Sequence, residues 1–176
     1  IQTLSTALPV ENVRVTRLML PPRLRVDLID RAAVARAERR TEAGLEQGYV
    51  DRLGNWISLR QNLGVRLEGT EGLRVVGWNG RHRPALAVVL NQRQAFAGSL
   101  KEIRFDPEGS LWLRTTDLGT LRLGPVDGQL EHRVAVAAHL NAALPAQLRG
   151  RRPQIVDLSD PDQPELSVSG LNPVVE

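Results

Sequence analysis

The sequence predicts an α+β fold: a helix with two antiparallel strands, then a mostly antiparallel β-domain carrying one or two helices. Three observations predict it. Two runs of alternating apolar and polar residues flank Pro21-Pro22, three more short alternating runs lie between Lys101 and Leu123, and one long amphipathic run follows from Gln129 to Leu144. At 176 residues the chain folds as one large domain or two small ones, and it buries roughly 70% of its extended surface without needing metals or crosslinks.

The elements follow in order. Ile1 to Leu8 is apolar-rich and closed by Pro9, the mark of a helix end. Asn12 to Leu20 alternates, slipping once between Val15 and Leu18. Leu24, Val26 and Leu28 alternate against Arg23, Arg25 and Asp27, so the two segments make a strand pair with one buried face. Val34 to Arg40, Gly48 to Arg52, Asn55 to Leu59 and Leu73 to Trp78 read as short strands, punctuated by Gly44, Gly48 and Gly54, with Gly77-Trp78-Asn79-Gly80 as a turn. Pro84 to Phe96 stays open: its apolar block suits a buried strand, while its length and Asn91-Gln92-Arg93-Gln94 favour a helix.

Lys101 to Phe105, Leu111 to Thr115 and Thr120 to Leu123 form a meander whose turns are Asp106-Pro107-Glu108-Gly109 and Asp117-Leu118-Gly119. The long helix runs from Gln129 to Leu144. Leu130, Val134, Ala137 and Leu144 share one side, with Asn141 as the single polar intrusion. Asp127 or Gly128 caps its start, Glu131 suits its first turn, and Pro145 is expected to stop it. After the basic link Arg149-Gly150-Arg151-Arg152, two last strands, Gln154 to Leu158 and Pro164 to Ser169, flank the turn Ser159-Asp160-Pro161-Asp162-Gln163.

Composition excludes several kinds of chemistry. There is no cysteine, hence no disulfide framework, thiolate nucleophile or Cys-ligated zinc. Of 23 basic residues only Lys101 is a lysine, so the isoelectric point of 10.4 reflects arginine at a formal charge of only +3. That balance, with 3% aromatic residues, argues against nucleic acid as a partner, and Arg149, Arg151 and Arg152 read as a solvated linker. The longest apolar run, Pro84 to Leu90, falls well short of a bilayer span. The chain opens at Ile1 without an initiator methionine, inside an apparent helix, and reads as an excised piece.

No catalytic constellation emerges. His132 and His139 fall on the solvent side of the long helix, His82 stands apart, and no serine sits in a nucleophile elbow. Asp157, Asp160, Asp162 and Glu165 cluster without the order of a calcium loop and read as an Asp- and Pro-rich turn. Gly64, Gly69, Gly72 and Gly77 fit no phosphate-binding pattern. Neither a metal nor another cofactor is expected.

Four motifs in order resemble the FtsQ/DivIB bacterial cell-division family. They are Arg17 with Pro21-Pro22-Arg23-Leu24-Arg25-Val26-Asp27-Leu28-Ile29-Asp30-Arg31-Ala32-Ala33-Val34-Ala35, then Tyr49-Val50-Asp51-Arg52-Leu53-Gly54, then Leu111-Trp112-Leu113-Arg114-Thr115 through Leu121-Arg122-Leu123-Gly124, and lastly Ile155-Val156-Asp157-Leu158. The resemblance spans about residues 1 to 170. It departs from the family where Asp30 replaces a Glu, Ala33 replaces a Pro, and Ser159-Asp160 stands where enterobacterial members carry Arg-Tyr.

The resemblance implies the C-terminal half of a POTRA domain over residues 1–35, an FtsQ-type β-domain over 36–170 and a tail over 171–176. It implies the extracytoplasmic, periplasmic part of a single-pass inner-membrane protein at the division septum, held by an N-terminal helix absent from this fragment. The function implied is a non-enzymatic divisome scaffold that recruits and regulates partners of the FtsB and FtsL type, and further ones of the FtsW and FtsI type. The alternative is a POTRA-containing component of protein export or outer-membrane assembly, since the first 35 residues suit either.

Binding in such proteins resembles strand addition at the last strand, here Pro164, Glu165, Leu166, Ser167, Val168, Ser169 and Gly170. Leu166 and Val168 are expected to face the core, with Glu165, Ser167 and Ser169 facing out. Its interior has no Lys, Pro or bulge, the usual protections of an exposed edge.

Overall fold

A computed structural model describes residues 10–18, 23–30, 32–59, 66–67, 72–147 and 155–167. The chain is α+β. The expected helix at Ile1 to Leu8, the Pro21-Pro22 turn, the Arg149 to Arg152 link and Val168 to Gly170 lie outside the described residues.

The paired alternating runs become β1 (Val10–Leu18) and β2 (Arg23–Asp30), an antiparallel two-stranded sheet with Val15 opposite Val26 and a bulge between Val10 and Asn12. The second sheet has ten strands: β3 (Ala32–Thr41), β4 (Gly44–Asp51), β5 (Trp56–Ser58), β6 (Arg66–Leu67), β7 (Arg74–Val76), β8 (Leu100–Phe105), β9 (Leu111–Thr115), β10 (Gly119–Gly124), β11 (Ile155–Asp157) and β12 (Glu165–Ser167). Its order is β12-β11-β10-β9-β8-β7-β3-β4-β5, with β6 also beside β3. Ladders β3–β6, β3–β7, β7–β8 and β10–β11 are parallel and the others antiparallel.

The open segment after Arg83 is a helix. α1 (Arg83–Gln92) carries Pro84 in its first turn, where a missing N–H costs nothing, and buries Leu86, Val89 and Leu90 at helical spacing. A 3-10 turn, Arg93–Phe96, ends it by burying Phe96. α2 (Leu130–Gln147) buries Leu130, Val134 and Ala137 as the wheel requires. Asn141 is buried with them, its Nδ2 donating to Ser99 Oγ at 2.8 Å, and Ser99 Oγ donates to the Phe96 carbonyl at 2.7 Å. His132 and His139 are exposed.

Two expectations are corrected. Pro145 does not stop α2, which continues to Gln147; its φ is compatible with the helix, but its ring removes the N–H that would reach the Asn141 carbonyl, so the helix runs only two residues beyond it. Gly48 does not punctuate a strand. It lies inside β4, where an added Cβ would stand 2.5 Å from the Trp56 ring and 2.7 Å from the Ile57 carbonyl. Glycine is needed there for close approach.

The core lies between the sheet and the two helices, built from Val75, Ile103, Leu113 and Leu121 on strands and Leu86, Val89 and Val134 on helices.

Candidate partner-binding edge

The terminal hairpin is positioned by the segment that returns from α2. β11 runs parallel to β10 (Leu121 beside Val156) and β12 turns back antiparallel to β11 (Val156 opposite Leu166). β12 is the last strand of the sheet.

Backbone direction follows from one bond. The Leu158 N–H donates to the Arg122 carbonyl at 2.7 Å, so Leu158 faces β10. Strand backbone groups alternate, so Val156 also faces β10, while Ile155 and Asp157 face β12. Their partners Ser167 and Glu165 therefore spend their N–H and C=O groups inward. The Leu166 N–H and C=O point outward, and no other strand among the described residues pairs with them.

The Leu166 side chain departs from expectation. Directly opposed residues share a face, so Leu166 is on the side of Val156, which is fully buried. Yet Leu166 is 44% exposed, because the core layer ends before it. Pro164 and Glu165 are exposed too. On the other face β12 carries the exposed Glu165, and Ile155, 39% exposed, lies one strand further in on β11.

The hairpin's root is held by charge. Arg122 Nη1 meets Asp157 Oδ2 at 2.9 Å, and the Ser159 amide donates to Asp157 Oδ1 at 2.9 Å. Burial pushes the Asp157 carboxyl up, but the Ser159 amide and the Arg122 guanidinium outweigh it and hold it below the usual carboxylate range. Asp160 Oδ1 accepts from the Asp162 amide at 3.0 Å, so these carboxylates serve as turn acceptors. No group of three metal-ligating side chains converges among the described residues.

Sequence reading missed Arg133. It is 1% exposed; Nη2 donates to the Pro125 carbonyl at 2.7 Å and pairs with Asp127, and Nη1 lies 3.5 Å from the Ser159 carbonyl. The guanidinium thus joins the start of α2, the loop after β10 and the β11–β12 turn. A signal existed, since on the helical wheel Arg133 falls about 60° from Leu130, inside the apolar side. Gly124 allows the approach: at φ +75° its Cβ would stand 2.8 Å from Ser159 Oγ.

His82 is buried away from this edge. It stacks on Phe105 (4.3 Å, 16°), accepts from Arg81 Nε at 3.1 Å, and has its pKa lowered by burial first and then by the Arg81 charge. Neither a family model nor a curated protein sequence matches this chain.

Proposed function

We propose that this chain is the extracytoplasmic part of a non-enzymatic division scaffold of the FtsQ/DivIB type, which binds an FtsB–FtsL-type pair by strand addition at β12. The observation that carries the reading is the outward backbone of Leu166, on a terminal strand whose own leucine is left exposed. A protein strand is the natural complement of such a row, because main-chain hydrogen bonds supply affinity and alternate side chains supply selectivity. The four ordered motifs favour a division partner, and one of them has a physical account here. In Tyr49-Val50-Asp51-Arg52-Leu53-Gly54, Asp51 closes the loop and Gly54 takes φ +76°.

The test is a proline pair. Leu166→Pro removes the outward N–H and leaves the β11 ladder intact, whereas Ser167→Pro removes an inward one. Leu166→Pro is expected to fold like the parent and to bind an FtsB–FtsL-type pair roughly tenfold more weakly, about one hydrogen bond plus a steric block. Ser167→Pro is expected to loosen the hairpin itself. A folded Leu166→Pro chain that captures the pair as well as the parent would sink the proposal.

A further inference from the structure

Among the described residues the sheet has a second open edge, at its other end. β3 pairs with β4 along its whole length, down to Thr41 opposite Gly44. β5 pairs with β4 only over Gly48, Tyr49 and Val50. The Asp51 N–H donates to the Asn55 carbonyl at 3.1 Å on the β5 side, so alternation places the N–H and C=O groups of Tyr49, Gln47 and Leu45 on that side as well. Tyr49 meets Ile57 there. No strand among the described residues pairs with the outward groups of Leu45 and Gln47.

The surroundings of that row are apolar and then cationic. Leu45 is 64% exposed and Leu59 51%, and together they line a groove of about 580 Å³. An adjoining hollow of about 470 Å³ shares Gln47 and Leu59 and is walled by Arg36 and Arg74. Arg74 is paired with Glu38; Arg36 is exposed and makes no ion pair with any described residue. Neither Leu45 nor Gln47 is a Lys, Pro or bulge residue of the kind that guards an edge.

We infer that Gly44–Gln47 is a second strand-addition site, taking an extended segment of another protein that carries an apolar side chain and, two residues along, a carboxylate. The backbone row calls for a strand, Leu45 and Leu59 for the apolar residue, and Arg36 for the acid. A second copy of this chain suits the site poorly. Self-pairing of β4 centred on Glu46 would set Glu46 against Glu46, and in any register it spans only about four residues, far less surface than the roughly 1,200 Å² of a stable interface. The inference stands apart from the reading of β12, since it concerns the opposite end of the sheet.

The experiment is NMR on the isotope-labelled chain with the synthetic peptide Thr-Val-Thr-Leu-Thr-Asp-Thr. In the free chain, the Leu45 and Gln47 amides are expected to exchange with solvent at least about tenfold faster than Glu46. With peptide, those two amides shift saturably and slow by about tenfold. The same peptide N-methylated at alternate residues fails to do this, and Leu45→Lys or Arg36→Gln weakens the response several-fold without changing the chain's other resonances. The inference is overturned if Leu45 and Gln47 stay unmoved up to about 1 mM peptide, if the N-methylated peptide is equally effective, if both variants bind as the parent does, or if only β12 amides respond.

Discussion

Replacing Asp51 by alanine should destabilise the protein strongly, and replacing it by asparagine should do so far less. Asp51 is 1% exposed. Its Oδ1 accepts from the Leu53 amide at 3.0 Å and the Asn55 amide at 2.8 Å, and its Oδ2 from Asn55 Nδ2 at 2.9 Å. The loop so closed docks on the segment leading into α1 and on its first residue, with Trp78 Nε1 donating to the Gly54 carbonyl at 2.9 Å and Arg83 Nη1 to Asn55 Oδ1 at 3.1 Å. Hydrogen bonds to a charged acceptor contribute about 1.5–3 kcal/mol each, less where water can replace them. Losing three partly buried ones puts Asp51→Ala at about 3–5 kcal/mol, a large part of a typical domain's 5–15. Asparagine keeps one acceptor oxygen, and a cost of about 1–2 kcal/mol is expected. Urea unfolding followed by the fluorescence of Trp56 and Trp78 measures both. An Asp51→Ala variant within 1 kcal/mol of the parent, or an asparagine variant as unstable as the alanine one, would refute the reasoning.

Two further outcomes are expected. The pKa of His82 is lowered in the fold by burial and by Arg81, so the native state prefers it neutral and the unfolded chain takes up its proton first. Stability is then complete above the ordinary histidine value near 6.5 and falls as pH drops below it; the urea midpoint should fall from pH 7 to pH 5 in the parent and fall less in His82→Gln. Gly48→Ala should cost about 1–3 kcal/mol by overpacking, because both the Trp56 ring and the Ile57 carbonyl occupy the space its Cβ needs. Thermal unfolding, with the Trp56 emission as a local probe, reads that cost.

What was legible in the sequence was local. The meander from Leu100 to Gly124 is punctuated by turns whose side chains do the closing: Asp106 accepts from the Ser110 amide at 2.7 Å and from Trp112 Nε1 at 3.1 Å. The buried side of α2 followed from its 3.6-residue period, as did the solvent side bearing His132 and His139. The terminal pair of strands was legible too, as alternating runs around a turn, and β11–β12 is that hairpin. Non-local facts were not. Gly48 looks like punctuation until Trp56 is seen stacked over it. Arg133 has a place on the apolar side of the wheel, but the Ser159 carbonyl that its Nη1 approaches arrives only with the β11–β12 turn. The parallel β10–β11 pairing depends on α2 carrying the chain back across the sheet, and no residue in either strand encodes that.

The exposure of Leu166 follows from how much sheet two helices can cover. Neighbouring strands stand about 4.8 Å apart, so the nine strands along the main path span about 38 Å. A helix that links adjacent parallel strands, as α2 links β10 to β11, runs back roughly along them and covers about 10 Å of width. The two helices among the described residues therefore shield about half of the face. At the β5 end the deficit is met by large side chains: Trp56 and Trp78 pack at 5.3 Å, and the Arg39 guanidinium lies 4.5 Å from the Trp56 ring while Glu46 holds it at 2.7 Å. At the β12 end no described aromatic side chain does the same, and Leu166 stays uncovered although it faces the same way as Val156. A strand that paired with the Leu166 backbone would bring its own side chains over that leucine, so one docking event would satisfy the open hydrogen-bonding groups and extend the apolar layer. The two requirements coincide at a single residue, which is why Leu166 rather than Ser167 is the position at which a proline should separate binding from folding.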